Sequence, residues 1–484
     1  MKTRNTFWLF LLSFIFVTLF SRATSFLYVF EGADPSVFKQ MGLAVLKGKT
    51  LYIDYFDNKG CLLYFIHAFG LWLGGNFIIL LMQTLSLTVT LAIWNKMSAL
   101  YQNRRQRIFC LSVALFLLAC FYGAGDQTQE WCLPFISYPL LVFTRAYKDK
   151  MDVRLGQMLL IGLCFGIITF IQVNNAVAFL GFVACLWLQY LLHKDFGKLF
   201  RSLGCFLAGW LMIAIPCVLF FYLKAGWLGV SEMFYASFLS NLEYIGTQYN
   251  TQWFHWIPYA LFLLAFLLLN FINLQKQRLL WAPVFIAWLL FVGTFGRLCN
   301  NFYLMALLPL CVFSMAFLKF EKARIIKLSF AVILIGSATF MGSIGFYHVI
   351  SDLVLQKEKE VAIYEDFHQC VAAIPENEHD SIYNYNLGWH GTSMMEHEGM
   401  LQCNRVLFNY LVFNLPTLRE EETSKPFSKP KWILVSPDFP VYTSDAQFIL
   451  EHYELVCQFH YDRLYWKRPR VGHEFEVCLY HRKE

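Results

Sequence analysis

The sequence predicts a polytopic α-helical membrane protein followed by a small α/β region outside the membrane. Of its 484 residues, 58% are hydrophobic and only 15% are charged, whereas a soluble globular domain is nearer one quarter charged. Several apolar runs reach the length of about 18 residues that a helix needs to cross the hydrocarbon core of a bilayer. The net charge of +6 therefore bears on membrane topology rather than on nucleic-acid binding.

These apolar runs predict about eleven transmembrane helices. We interpret the first as an uncleaved span rather than a secretory signal peptide, because its apolar core is long. The predicted transmembrane domain covers residues 1–350, and an extracytoplasmic α/β domain covers residues 351–484. The spans are residues 7–27, 76–95, 108–122, 131–145, 155–171, 176–192, 203–223, 256–273, 279–295, 302–318 and 328–350.

The basic residues are divided unevenly between the predicted loops. With the N-terminus in the cytoplasm, the inner loops hold 19 Lys and Arg residues and the outer loops hold 6. This bias obeys the positive-inside rule. An odd number of spans then places the C-terminal domain outside the cytoplasm.

The C-terminal domain is more charged and contains four short runs typical of β-strands. They are SIYNYNLG, KWILVSP, YELVCQFH and FEVCLYHR, and helical stretches lie between them. The domain has no glycine-rich phosphate loop and no nucleophile elbow, so it is not an obvious enzyme by itself.

The first outer loop, residues 28–75, concentrates polar residues in an otherwise apolar chain. We expect two surface helices, over residues 35–47 and 61–73, because neither is long enough to span the bilayer. The proline after Asp34 indicates a helix start with Asp34 at the N-cap. Around and between these helices stand Glu31, Asp34, Asp54, Asp57 and Lys59.

These residue types can carry out group transfer at a membrane surface. A carboxylate can take a proton from an acceptor hydroxyl, and a lysine can hold a phosphate and stabilise it as a leaving group. Acidic residues could also bind a divalent cation. Because nucleotide sugars and ATP are not supplied outside the cytoplasm, the activated donor must arrive through the membrane. A sugar on a polyprenyl phosphate meets this requirement.

The first outer loop resembles that of the GT-C membrane glycosyltransferases, in the branch of the protein O-mannosyltransferases and the lipid A aminoarabinose transferase. Those proteins have an acidic residue soon after the first span and then a pattern like G-x-x-x-Y-x-D-x-x-x-K-x-P. The corresponding segments here are EGADPSVF and GKTLYIDYFDNKG, in which Tyr52, Asp54, Asp57 and Lys59 match the pattern. Gly60 and Cys61 stand where the family usually has Gly-Pro or Pro-Pro.

Two later segments also resemble the family. GAGDQTQEWCLPF, residues 123–135, is similar to a short loop with a Thr-Glu-like pair, here Thr128 and Glu130. GRLCNNFYLMALLP, residues 296–309, is similar to a segment with an Arg before a His-Tyr-like pair, and here it begins with Gly296 and Arg297.

The resemblance implies a GT-C-like fold and an inverting transfer in which Asp34 is the catalytic base, with Glu31 as the alternate. Lys59, with Arg297 as a second candidate, would bind the donor phosphate. The remaining candidates for substrate binding are Tyr52, Asp54, Asp57 and Glu130.

Each of these residues also has a structural interpretation. Asp34 could have no role beyond capping a helix, and Lys59 could be an interfacial lysine that extends toward water. Turn formation is favoured for Asp54 and Asp57. Glu130 suits a helix N-terminus, and Arg297 could anchor the chain at the interface. The histidines His67 and His255 are expected to serve in packing rather than as ligands.

The resulting hypothesis is a membrane glycosyltransferase of the bacterial inner membrane that transfers a hexosyl or pentosyl group. Its donor is a lipid-linked sugar, and its acceptor is an extracytoplasmic lipid, glycan or protein. No cofactor is certain, a divalent cation stays open, and no nucleic-acid partner is expected. The alternatives are a lipid or glycan transporter or flippase, which needs ionisable residues near the bilayer midplane, and a polysaccharide polymerase or ligase.

Overall fold

The computed structural model describes most of the chain, and the described residues are 3–23, 32–123, 125–247, 253–274, 278–296, 298–317, 324–351, 357–407, 415–418, 430–437, 443–462 and 474–483. Helices dominate the first 351 residues. They are α1 (Thr3–Phe20), α2 (Ala33–Leu46), α3 (Cys61–Gly74), α4 (Asn76–Ser98), α5 (Arg104–Phe121), α6 (Thr128–Asp149), α7 (Leu155–Gln172), α8 (Val177–Leu192), α9 (Phe196–Phe234), α10 (Ser240–Thr247), α11 (Trp253–Asn273), α12 (Trp281–Phe295), α13 (Leu308–Ala316) and α14 (Arg324–Ser351).

Each predicted span overlaps one of these helices, and four helical stretches are long and apolar enough to cross a membrane by length and composition alone. Those four are Asn76–Ser98, Leu155–Leu192, Phe196–Gly246 and Trp256–Asn273. Further apolar helices in the described part of the chain are shorter. The number of eleven spans therefore stays a prediction, whereas the helical, apolar character of the body is confirmed.

One predicted boundary is wrong. The first helix ends at Phe20 rather than at residue 27, and Ser21 to Ala23 are not helical. The predicted end of a span at residue 223 instead agrees with a sharp break in α9 at Ala225 and Gly226, beyond which a second helical part leads to Phe234. Gly226 adopts a φ of 61°, which a residue without a Cβ atom tolerates, so the first part of α9 ends there and the second begins in another direction.

The helices pack closely where small residues face one another. A Cβ atom on Gly162 of α7 would lie 2.0 Å from the Phe206 carbonyl oxygen, and one on Gly209 of α9 would lie 2.0 Å from the Leu159 carbonyl oxygen. Only glycine allows the two backbones to approach this far. The contact fixes α7 against α9, and the end of α7 in turn contacts the first outer loop.

Both predicted helices of the first outer loop are present. They are α2 and α3, and they pack against each other. Between them the chain forms a compact turn in which Leu51 bridges to Tyr55. We call residues 51–60 the lysine turn, because Lys59 lies near its end.

All four predicted β-type runs of the C-terminal region form strands. They are β1 (Ile382–Asn384), β2 (Trp432–Val435), β3 (Tyr453–Asp462) and β4 (Glu474–Arg482), in one sheet of order β1-β2-β4-β3. The first pair is parallel and the other two pairs are antiparallel. The helices α15 (Lys357–Val371), α16 (Trp389–His397) and α17 (Thr443–His452) accompany the sheet, and a disulfide joins Cys370 of α15 to Cys457 of β3.

Candidate active site

Asp34 lies in the first turn of α2, one residue after the helix begins. The N-cap is Gly32, and no side chain caps this helix end. The predicted N-cap role of Asp34 is therefore wrong, because the helix starts at Ala33, before Pro35. The Asp34 carboxylate does not cap the helix and can contact other groups.

The surroundings of Asp34 make it a stronger base than an ordinary aspartate. Burial raises the pKa of its carboxyl group, the charge of Lys59 opposes that rise, and Asp57 and Asp126 add to it. The Gln127 side chain also opposes the rise in pKa, and part of the aspartate stays accessible to solvent. A carboxylate with a raised pKa holds a transferred proton more firmly, which suits a general base.

Lys59 lies near the end of the lysine turn, and its positive charge acts on the Asp34 carboxyl group. Its Nζ atom lies 2.5 Å from Oδ1 of Asn58 and 4.0 Å from Oδ1 of Asp57, and 16% of the side chain is exposed. Neither partner saturates the three donors of an ammonium group. The lysine is thus held in place and still able to bind a further acceptor, such as a phosphate oxygen.

Asp57 and Asp54 have different surroundings. The Asp57 carboxylate accepts a hydrogen bond from the Tyr64 hydroxyl at 2.7 Å and from its neighbour's amide, Asn58 N–H, at 2.8 Å. Asp54 is exposed and accepts from the amide of Thr50 at 2.6 Å. Both carboxylates therefore stabilise the lysine turn, and Asp57 also adds negative charge near Asp34.

Tyr52 is fully buried and lies behind Lys59. Its hydroxyl donates a hydrogen bond to the Lys59 carbonyl at 2.8 Å, and its ring packs against Tyr64 and Phe221. This arrangement supports the backbone that carries the lysine.

The end of the lysine turn is attached to α7. The amide of Gly60 donates a hydrogen bond to the Ile171 carbonyl at 2.9 Å. A Cβ atom at residue 60 would lie 2.2 Å from the carbonyl carbon and oxygen of Phe170. This contact therefore requires a glycine at residue 60. It fixes the position of the neighbouring Lys59 relative to α7.

Glu130 is buried at the start of α6, behind the loop that precedes the helix. One of its oxygens accepts a short hydrogen bond from the Tyr122 hydroxyl, and the other accepts from the Asp126 amide at 2.8 Å. These two hydrogen bonds hold the loop between Tyr122 and Glu130 in one conformation.

Asp126 and His67 form a buried pair that sequence reasoning missed. Nε2 of His67 lies 2.7 Å from the Asp126 carboxylate, and neither side chain is exposed. The other ring nitrogen faces the Leu63 carbonyl at 2.8 Å, which can only accept, so Nδ1 carries a hydrogen. The indole of Trp131 donates to the second Asp126 oxygen at 2.7 Å. The pair thus fixes Asp126, and with it the adjacent Gln127 that contacts Asp34.

The carboxylates of this cluster do not form an evident cation site. In the described part of the chain, no three His, Cys, Asp or Glu side chains come together as metal ligands. Both oxygens of Asp57 and of Glu130 already accept hydrogen bonds from protein donors, and both oxygens of Asp126 contact ring nitrogens of His67 and Trp131. We therefore derive no step that uses a metal ion. Two predicted site residues, Glu31 and Arg297, lie outside the described residues, so their placement stays a prediction.

Comparison with solved structures gives matches over nearly the whole chain. ArnT from Cupriavidus metallidurans bound to undecaprenyl phosphate aligns with a TM-score of 0.57 and 12% identity, over 98% of this chain and 98% of that chain. The apo state of the same protein aligns with a TM-score of 0.56, 12% identity and the same coverage of both chains. The chain has the GT-C fold.

The GT-C fold extends over the helical body and the C-terminal sheet, because the aligned region leaves out only about 2% of the chain. The archaeal oligosaccharyltransferase AglB from Archaeoglobus fulgidus, in complex with an inhibitory peptide and a dolichol-phosphate, aligns less well, with a TM-score of 0.49 and 12% identity over 97% of this chain and 75% of that chain. No protein-family model and no curated protein sequence matches the chain. The predicted GT-C-like fold is therefore confirmed by the ArnT match.

Proposed function

We propose that this chain is a membrane glycosyltransferase that moves a sugar from a polyprenyl phosphate to an acceptor outside the cytoplasm. The observation that carries the proposal is that Asp34 and Lys59 interact electrostatically within one polar cluster. The carboxylate has a raised pKa, and the lysine beside it keeps donors free for a phosphate. The cluster belongs to a chain with the GT-C fold, and the similar ArnT structure holds undecaprenyl phosphate.

The reaction follows from these two charges. Asp34 takes the proton of an acceptor hydroxyl, and the hydroxyl oxygen attacks the anomeric carbon from the face opposite the phosphate. The bond between that carbon and the phosphate oxygen breaks, and its electron pair stays on the phosphate. Lys59 stabilises the negative charge that develops there. The sugar is transferred with inversion.

The positions of the buried charges favour an enzyme over a transporter. Among the described residues, the buried acidic, basic and histidine side chains of the helical body lie in α2, in α3, at the start of α6 or in the loops before these helices. They are Arg22, Lys39, Asp57, His67, Asp126 and Glu130. A transporter is expected to place such groups near the middle of its spans.

The C-terminal disulfide supports the proposed orientation. Disulfides persist in oxidising compartments outside the cytoplasm, and Cys370–Cys457 lies in the C-terminal region. We place this region, and with it the lysine turn that it contacts, on the extracytoplasmic side of a bacterial inner membrane.

The proposal is tested by mass spectrometry of lipid-linked sugars and surface glycoconjugates in a strain that lacks the protein. We expect one glycosylated product to disappear and its lipid-linked sugar to accumulate, and wild-type protein to reverse both changes. Asp34→Asn should reduce the product by about 100-fold or more, the usual contribution of a general base, at normal protein levels.

The matched control is Asp152→Asn, which removes an exposed carboxylate that pairs with Lys198 at 2.7 Å on another loop. This variant should restore the product fully. Full activity of Asp34→Asn would refute the role of Asp34. An unchanged glycan and lipid profile in the strain without the protein would refute the proposed function itself.

A further inference from the structure

A segment of the C-terminal region docks directly on the first outer loop. We call residues 400–407 the docking segment. Gln40 Nε2 donates a hydrogen bond to the Met400 carbonyl at 2.7 Å, and the Tyr55 hydroxyl donates to the Gln402 carbonyl at 2.6 Å. The C-terminal region is therefore attached both to α2, which carries the candidate base, and to the lysine turn.

Arg405 makes the most extensive contacts in this segment. Its Nη2 atom donates to the Tyr52 carbonyl at 2.8 Å and lies 2.8 Å from a carboxylate oxygen of Glu232, and its guanidinium lies 5.5 Å from the centre of the Phe56 ring. The Arg405 carbonyl also accepts from the Phe56 amide at 2.7 Å. Only 18% of the arginine side chain is exposed. One side chain thus joins the lysine turn, the C-terminal region and the part of α9 beyond its break.

The carbonyl that Arg405 holds belongs to the most constrained residue of the lysine turn. Tyr52 has a φ of 69°, a left-handed conformation that a bulky side chain rarely adopts. Such a conformation persists only where its surroundings enforce it. Three contacts do so here, from the Tyr52 amide to the Tyr55 carbonyl at 2.6 Å, from the hydroxyl to the Lys59 carbonyl at 2.8 Å, and from Arg405 to the Tyr52 carbonyl.

We propose that Arg405 is a positioning residue for the donor phosphate, because it holds Tyr52, and Tyr52 holds Lys59. This inference rests on the proposed function, in which Lys59 binds the phosphate. It makes the C-terminal region a part of the donor site. The chain of contacts runs from the guanidinium to the Tyr52 carbonyl, across the Tyr52 ring, and from its hydroxyl to the Lys59 carbonyl.

A second support limits the size of the expected effect. Asn241, from the helical segment beyond the break of α9, donates to the Asn58 carbonyl at 2.8 Å, and the Asn58 side chain contacts the Lys59 ammonium. Loss of Arg405 would therefore loosen one end of the lysine turn and leave the other attached. We expect phosphate binding to be weakened rather than abolished.

The experiment measures binding of undecaprenyl phosphate to the full-length protein in lipid nanodiscs, with undecaprenol as the probe that lacks the phosphate. Arg405→Ala should weaken binding of undecaprenyl phosphate by about tenfold, or ~1.4 kcal/mol, and leave undecaprenol binding unchanged. Lys59→Met should weaken it further, and the double variant should bind no more weakly than Lys59→Met, because the two residues act through one contact.

The matched control is Lys47→Ala, which breaks another ion pair across the same interface, between Lys47 and Asp380 at 2.5 Å. That pair does not touch the lysine turn, so binding should stay at the wild-type level. Where Arg405→Ala does not fold, Arg405→Lys keeps the charge and loses the forked geometry, and an intermediate affinity is expected.

Hydrogen–deuterium exchange of residues 51–60 provides a readout that does not depend on the ligand. Exchange should rise in Arg405→Ala and not in Lys47→Ala. Unchanged exchange, or strictly additive effects in the double variant, would overturn the positioning role of Arg405. Equal binding of undecaprenyl phosphate by Lys59→Met and wild type would instead refute the role of Lys59 in the proposed function, and exchange would still decide the role of Arg405.

Discussion

At the scale of single residues, Asp34 combines a functional advantage with a cost in stability. Its carboxyl group has a raised pKa, first because it is buried and second because Asp57 and Asp126 are near, and Lys59 offsets only part of the rise. In the folded state the group therefore keeps its proton to a higher pH than in the unfolded chain. Ionisation of Asp34 in the folded protein lowers the free energy of unfolding.

This balance predicts how Asp34→Asn changes stability with pH. Well below the ordinary aspartate pKa of about 3.9, residue 34 is neutral in the folded and unfolded states of both proteins, which should unfold at similar temperatures. Between that pKa and the raised pKa of folded Asp34, the unfolded wild-type chain ionises before the folded one, so the stability of the wild type falls and that of the variant does not. The variant should therefore be at least as stable at neutral pH, as measured by thermal unfolding in detergent.

The opposite result would identify a structural role. If Asp34→Asn unfolds at a lower temperature than wild type at neutral pH, then the ionised carboxylate contributes to folding through its contacts. A loss of transfer activity in that variant could then follow from damage to the fold. A variant that is stable and inactive points to chemistry instead.

His67 and Asp126 illustrate what local sequence patterns leave out. The sequence suggested packing for His67 and gave Asp126 no role, whereas the two are partners in a buried polar pair. They are 59 positions apart, and neither carries a spacing that would connect them. By contrast, Asp34 and Lys59 could be proposed together because both lie in one polar loop between apolar runs.

At the scale of elements, the lysine turn depends on how closely it approaches α7. A Cβ atom on Gly60 would collide with the Phe170 backbone at 2.2 Å. Gly60→Ala should therefore push the turn away from the helix, reduce the free energy of unfolding by about 1–3 kcal/mol and weaken undecaprenyl phosphate binding. Thermal unfolding and the nanodisc binding measurement check both effects.

The control for this substitution is Gly156→Ala in the first turn of α7. A Cβ atom there meets nothing within 4 Å, and alanine is a better helix former than glycine. Gly156→Ala should leave both stability and binding at or above the wild-type level. A tolerated Gly60→Ala would mean that the turn can move without consequence for Lys59.

The helices and strands that a short stretch of sequence indicates by itself were predicted well. Short runs typical of β-strands identified β1 to β4, and long apolar runs identified the helices of the body. The errors occur where a local signal has two meanings. The apolar residues after position 20 suggested that the first span continues to residue 27, but its helix ends at Phe20. Similarly, Pro35 marks a helix start, yet the helix begins two residues earlier.

At the scale of the whole molecule, the proposed orientation can be tested through one thiol. Cys403 is exposed in the docking segment, and the other free cysteines in the described part of the chain are buried or partly buried. A membrane-impermeant maleimide should label Cys403 in intact spheroplasts, and Cys403→Ser should lose that label. Labelling only after the membrane is permeabilised would place the C-terminal region in the cytoplasm.

The joining of the C-terminal region to the body could not be predicted from the sequence. Arg405 and Tyr52 are 353 positions apart, and an isolated arginine near a cysteine and an asparagine carries no motif. Hydropathy predicts two regions, but it says nothing about which surfaces meet. That information exists only in the folded chain.

The way in which the docking segment attaches has a consequence for its tolerance of mutation. The body reaches it largely through main-chain atoms, since Gln40, Tyr55 and Phe56 bond to the carbonyl oxygens of Met400, Gln402 and Arg405. These bonds do not depend on residue type, so the residues of the segment are constrained by packing instead, because Met400, Leu401, Val406 and Leu407 are buried. Single alanine replacements at these four positions should lower stability and leave the main-chain bonds in place, whereas removing one residue would put every later carbonyl out of register.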